Sequence, residues 1–203
     1  MITIVDYGMG NLGSVANMFK RIGVNSEITS DLERIAKAEK ILLPGVGAFD
    51  AAMQRINNGG FREVLDKKVL KEKVPTLGIC LGMQLLTDSS EEGVLSGLGW
   101  ITAKTIKFSF NKDQNLKVPH MGWNLVHEVR ESPLTKDLPN EPRFYFVHSY
   151  HVQVIHPEHI LMTTHFGFDF HSIIQKDNVF GAQFHPEKSH KFGMKLLENF
   201  AKI

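Results

Sequence analysis

The chain has 203 residues, 42% of them hydrophobic, and a net charge of +1, which suffices for one buried core and lacks the basic excess expected of a nucleic-acid binder. No apolar run approaches a membrane span, and the N-terminus lacks the charged-then-apolar layout of a signal peptide. A single cysteine, with no internal repeat or linker, fits one domain in a reducing compartment, so the expected location is the cytoplasm.

Ile2 to Val5 is a β-branched run, and Leu12, Val15, Phe19 and Ile22 then recur at helical spacing up to a stop at Gly23. Between them Gly8-Met9-Gly10-Asn11-Leu12-Gly13 matches the G-x-G-x-x-G pattern of dinucleotide sites, with Glu27 or Asp31 as the acidic partner. The competing reading is that these glycines only permit a tight turn.

Ser26 to Thr29 reads as a second strand, and Ser30-Asp-Leu-Glu33 as a capping box starting a helix through Ala38. Ile41 to Leu43 is a third strand, ending in the turn Pro44-Gly45-Val46-Gly47. Such a loop at the carboxyl end of a parallel strand can present backbone N–H groups, and Val46 or Gly47 is the candidate oxyanion donor beside the alternative of an ordinary strand exit. Helical patterns follow at Phe49, Met53, Ile56 and at Phe61, Leu65, Val69.

Val74 to Thr87 carries the densest signal. A buried strand, Thr76 to Ile79, runs without a spacer into a helix with Leu81, Leu85 and Leu86 on its apolar face, and Cys80 stands at the junction. Gly78-x-Cys80-x-Gly82 is the pattern that sets a nucleophile on a sharp strand-to-helix bend, here with sulfur in place of oxygen. Unpaired N–H groups at a helix start favour a thiolate, and the Leu81 N–H is positioned as half of an oxyanion hole. The plain alternative is a small buried hydrophobe.

Alternation of strands and helices up to this point predicts an α/β fold with a mostly parallel central sheet, helices on both faces and chemistry at the carboxyl ends of the strands. The second half changes to closely spaced strands, such as Phe144 to Val147 and Ile160 to Thr164, which add antiparallel pairing. Phe166, Phe168 and Phe170 alternate with polar residues as a strand does, and packing is their expected use. Ser172 to Ile174 and Val179 to Phe184 pair as a hairpin, and a helix with Phe192, Leu196, Leu197 and Phe200 on one face closes the chain.

A cysteine nucleophile needs an imidazole and a group that orients it. Two copies of His-Pro-Glu exist, His156 to Glu158 and His185 to Glu187. In each, proline keeps the histidine extended, so the glutamate two positions on shares its side. His185 follows a buried run and precedes the last helix, whereas His156 sits in a turn, so His185 and Glu187 are selected. Metal ligation by His148 and His151 is the weaker reading, since no cluster at zinc spacing exists. No cofactor is expected.

Gly78-Ile-Cys-Leu-Gly-Met-Gln84 together with Gln183-Phe-His-Pro-Glu187 resembles the class I glutamine amidotransferases. The resemblance implies their flavodoxin-like fold and a Cys80-His185-Glu187 site that hydrolyses L-glutamine and passes on ammonia. It places Gln84, Ser149 and Tyr150 in the glutamine pocket and Pro44 to Gly47 on the oxyanion strand. Asp6 to Asn11, Leu43 to Phe49, Pro119 to Asn124 and Phe146 to Tyr150 are similar to one branch, whose members serve a separate (β/α)8-barrel cyclase subunit in histidine biosynthesis. In that branch Asn11, Met121, Trp123 and Lys188 match interface positions, although buried packing is an equal reading for Met121 and Trp123. Asp50 stands where many members have glycine, and a paralogous branch that supplies nitrogen to surface sugars remains the alternative. A Cys-His peptidase or deglycase, and a regulatory module without chemistry, are the readings from other classes.

Overall fold

The computed structural model describes residues 1–203, the side chain of Lys112 left aside. Its first half is β1 (Ile2–Val5), α1 (Leu12–Arg21), β2 (Ser26–Thr29), α2 (Leu32–Ala36), β3 (Ile41–Gly45), α3 (Phe49–Asn58), α4 (Phe61–Asp66), β4 (Thr76–Cys80) and α5 (Leu81–Leu85). The second half holds β5 (Ser89–Ser90), β6 (Ala103–Lys107), β7 (His120–Leu125), β8 (His127–Glu128), β9 (Arg143–His148), β10 (Tyr150–Val154), β11 (Ile160–His165), β12 (Asp169–Lys176), β13 (Val179–Ala182) and α6 (His190–Lys202).

The main sheet runs β2-β1-β3-β4-β13-β12-β10-β6-β5, with β11 and β8 branching from β12. Its first five strands are all parallel, and β12, β10 and β6 add antiparallel pairing. Strands β7 and β9 form a separate antiparallel ribbon. Residues on β3 alternate between two cores: Ile41 and Leu43 join Phe49, Ile56 and Leu65 on one face, while Leu42 joins Phe19, Leu197 and Phe200 on the other. Burial on both faces explains why these strands read as unbroken apolar runs.

Three local expectations are corrected. The cap of α2 is Asp31, not Ser30: its Oδ1 accepts from the N–H groups of Glu33 and Arg34, and the helix ends at Ala36 rather than Ala38. Strand β3 continues through Pro44 and Gly45, because their pairing with Ile79 and Cys80 extends the ladder past the proline. The phenylalanine alternation is not one strand, since Phe166 N–H donates to the Phe168 carbonyl in a turn between β11 and β12. The rings still pack, all three against Phe108.

The dinucleotide pattern around Gly8 has a structural use. Arg55 Nη1 donates to the Gly8 carbonyl at 2.8 Å, and Gly10 lies against Pro44 and Gly45, so the loop packs on the end of β3.

Register places the site. Gly45 pairs with Cys80 and Ala182 with Ile79, so β3, β4 and β13 end side by side and whatever follows Ala182 emerges next to the cysteine. Gly82 permits this packing, since a Cβ there would collide with the Leu43 carbonyl oxygen. Gly82→Ala is therefore expected to cost about 3 kcal/mol, a fall in melting midpoint of roughly 6–12 °C. Gly13→Ala, in α1 with open space around it, should instead raise stability by roughly 0.5–1 kcal/mol. Thermal unfolding of the two variants checks the contrast.

Candidate active site

Cys80 has φ +54° and ψ −111°, a backbone conformation that side-chain-bearing residues rarely adopt. Such strain costs of order 1–3 kcal/mol and persists only where the surroundings impose it. Here β4 and α5 meet with no intervening residue, and a Cβ on Gly78 would strike the Gly82 backbone. The bend turns the thiol out of the sheet and into a cavity of about 360 Å³.

His185 reaches the same cavity from the far end of the chain. Its backbone N–H donates to the Tyr145 carbonyl at 2.9 Å, and Ser189 Oγ donates to its carbonyl at 2.6 Å. These bonds fix the short turn after β13. Nδ1 is 2.8 Å from Glu187 Oε1, with both side chains almost wholly buried, while Nε2 is buried without a protein hydrogen-bond partner.

Burial by itself would lower the His185 pKa. The Cys80 sulfur and the Glu187 carboxylate outweigh it and push the imidazole up to about 9. Protons are thus favoured on the ring when an anionic sulfur and a carboxylate flank it. The other copy of the motif lacks all of this: His156 is half exposed and 3.8 Å from Glu158.

Val46, Gly47, Leu81, Gln84, Ser149 and Tyr150 line the cavity with Cys80 and His185, so the predicted oxyanion and pocket positions converge. Sequence reasoning missed three neighbours. Gln183 is fully buried and its Nε2 points at Cys80 Sγ from 3.9 Å; it belongs to the Gln183-Phe-His-Pro-Glu187 stretch, which was the available signal. His148 and Glu92 line the cavity itself. Glu92 arrives in a loop that Asp50 holds, because the Asp50 carboxylate accepts from the N–H groups of Val94 and Leu95, and the Phe49 N–H donates to Glu92. Asp50 therefore has a local task.

Both ring nitrogens of His148 are taken, Nδ1 at 2.7 Å from the Tyr150 carbonyl and Nε2 at 3.0 Å from His120 Nδ1, so this ring has no nitrogen left to ligate a metal together with His151. Among the described residues no group of three metal-ligating side chains occurs, and no helix is long and apolar enough to cross a membrane.

Met121 is 63% and Trp123 46% exposed, which decides against buried packing for both. Trp123 stacks on His190, and Lys188 Nζ lies 5.7 Å above the Tyr145 ring, so a cationic and aromatic patch adjoins the His185 turn. Asn11 is exposed and its Oδ1 accepts from the Ser14 N–H at the start of α1. A larger open groove of about 950 Å³ along Val126 to Pro142 contains none of the predicted site residues.

The family profile described as "Glutamine amidotransferase class-I" matches residues 3–203. The chain is 55% identical over 202 residues to "Imidazole glycerol phosphate synthase subunit HisH 2" of Methanococcus maripaludis, covering 100% of this chain and 99% of that one. It is 47% identical over 203 residues to the protein of the same description in Pseudomonas aeruginosa, covering 100% of both. A solved structure described as "Crystal structure of glutamine amidotransferase" superposes with TM-score 0.76 at 15% identity, over 100% of this chain and 99% of the other, a likeness of fold.

Proposed function

The chain belongs to the class-I glutamine amidotransferases, and on that premise we propose that it is the glutaminase subunit of an imidazole glycerol phosphate synthase. It hydrolyses L-glutamine to glutamate and ammonia for histidine biosynthesis. The observation that carries this reading is the meeting of Cys80 and His185 in one small cavity, with Glu187 held on the far ring nitrogen of His185. Full-length identity to subunits of that synthase supports the choice of branch.

Cys80 Sγ attacks the carboxamide carbon, and its proton passes to His185 Nε2, the ring nitrogen left without a protein partner. The Leu81 N–H and an N–H from Val46 or Gly47 receive the developing oxyanion. His185 then protonates the departing nitrogen, ammonia leaves, and a thioester remains on Cys80. Water, deprotonated by His185, hydrolyses the thioester and releases glutamate. Glu187 holds the imidazole in orientation and favours its charged form. Gln84, Ser149 and Tyr150 bind the rest of the substrate.

As a subunit the chain works with a second subunit, and we assign that partner the form of a (β/α)8-barrel cyclase. Asn11, Met121, Trp123 and Lys188 form the docking face, where an exposed tryptophan and methionine beside a cation suit a hot spot. Direct transfer makes chemical sense, because ammonia released into water is protonated and loses its nucleophilicity. The cytoplasm is the compartment proposed. No metal or cofactor is required by this sequence of steps.

The test is glutamate release from L-glutamine, measured for the chain alone and with the cyclase subunit of the same genome. Release that rises when the partner is added is the expected result. No release under either condition overturns the reading.

A further inference from the structure

A run of hydrogen bonds leads from the inner face of β7 to the nucleophile. Asn124 Nδ2 is 3.2 Å from His120 Nε2, His120 Nδ1 is 3.0 Å from His148 Nε2, and His148 Nδ1 is 2.7 Å from the Tyr150 carbonyl. That carbonyl also accepts from Gln84 Nε2 at 3.3 Å, and Gln84 Nε2 donates to Gln183 Oε1, whose amide nitrogen points at Cys80 Sγ.

The direction of the first three bonds is determined. A carbonyl only accepts, so His148 carries its proton on Nδ1 and its neutral ring accepts at Nε2. His120 must then donate from Nδ1 and accept at Nε2, and Asn124 is the donor that Nε2 needs. Asn124 is itself oriented by two other contacts, since Nδ2 donates to the His165 carbonyl and Oδ1 accepts from the Leu125 N–H. Every proton in the run has one consistent place.

We propose that His120 is a positioning residue of the glutamine pocket, holding the Tyr150 carbonyl in place through His148; this rests on the function proposed above. Both rings are buried, which pulls His120 down to about 4 and His148 to about 3, so the run stays neutral at physiological pH. Neutrality matters because His148 shares its cavity with His185, the ring that must become positive. Two cations there would oppose each other. Strand β7 thus presents Met121 and Trp123 on its outer side and the origin of this run on its inner side.

Removing the His120 donor leaves His148 Nε2 unpaired in a buried site, and the ring then gains by turning away from Tyr150. The test is steady-state glutamine hydrolysis by the complex with the cyclase subunit. His120→Phe keeps a ring packed against Phe146 and stacked on Phe166 but donates nothing; it should raise KM about tenfold, the worth of roughly one hydrogen bond, with kcat nearly unchanged. His120→Asn sets an amide N–H near the former Nδ1 and should recover most of the loss. Asn124→Ala, should His120→Phe fail to fold, is expected to raise KM about threefold by weakening the bond that selects the His120 proton position. An unchanged KM in whichever of the two variants folds, or a fall in kcat alone that His120→Asn does not restore, overturns the proposal. Inactive wild-type complex overturns the functional reading and this inference with it.

Discussion

Cys80→Ala is expected to abolish glutamate release, by about 10⁴-fold or more, because no second thiol exists to form the thioester. The size of the loss follows from position as well as chemistry. The sulfur is held at the carboxyl end of β4 by a strained backbone, and Gln183 and His185 are arranged around it. A water recruited into the vacated space has neither that placement nor the nucleophilicity of sulfur. Glutamate release by the variant in complex with the cyclase subunit is the measurement, and turnover within tenfold of wild type would refute the nucleophile assignment. The same variant removes one of the two influences that raise the His185 pKa, so the imidazole should titrate below about 9 when followed by NMR.

His185→Ala should lose activity by about 10³-fold or more, while His156→Ala stays close to wild type. The two histidines have the same two residues after them, and only their surroundings differ. His185 is buried with a carboxylate at 2.8 Å, whereas His156 is half exposed with its glutamate at 3.8 Å. A carboxylate in water does not orient a ring firmly, because solvent screens the pair. The reverse pattern of activities would show the wrong copy to be catalytic.

The same pair carries a pH dependence of stability. The folded-state pKa of His185 lies above the ordinary value of 6.5, at about 9. Its contribution is therefore fully present below about pH 6.5 and is lost as pH rises through about 9. Glu187→Gln removes one of the causes and brings the folded-state pKa down, so the alkaline decline in melting midpoint should be smaller and end at lower pH in that variant. A midpoint that follows the wild-type curve would detach Glu187 from the imidazole.

The candidate nucleophile was legible because its signal is local. A strand, a cysteine and a helix within ten residues, framed by Gly78 and Gly82, leave little choice of backbone, and close approach of chain to chain at Gly82 requires glycine. The parallel half of the sheet was equally legible, since strands buried on both faces must be continuously apolar. Boundaries were less so. Asp31 took the place of Ser30 as cap because both are good cap residues one position apart, either able to accept from the Glu33 N–H, and local sequence does not rank them. Pro44 stayed in β3 because the strand beside it supplied a ladder that no local rule anticipates.

By itself, the amino-acid order pointed to one candidate nucleophile, two candidate His-Pro-Glu pairs, the α/β architecture and the family these imply. Sequence context already favoured His185 over His156; tertiary structure alone decided that Met121 and Trp123 face outward, that Glu92 and His148 line the cavity, and that Gln183 and His120 stand behind it. The reason is one of distance along the chain. Groups within a turn or two are placed by backbone geometry that each residue type restricts, whereas groups a hundred positions apart meet only where sheet register and side-chain burial bring their strands to a common edge.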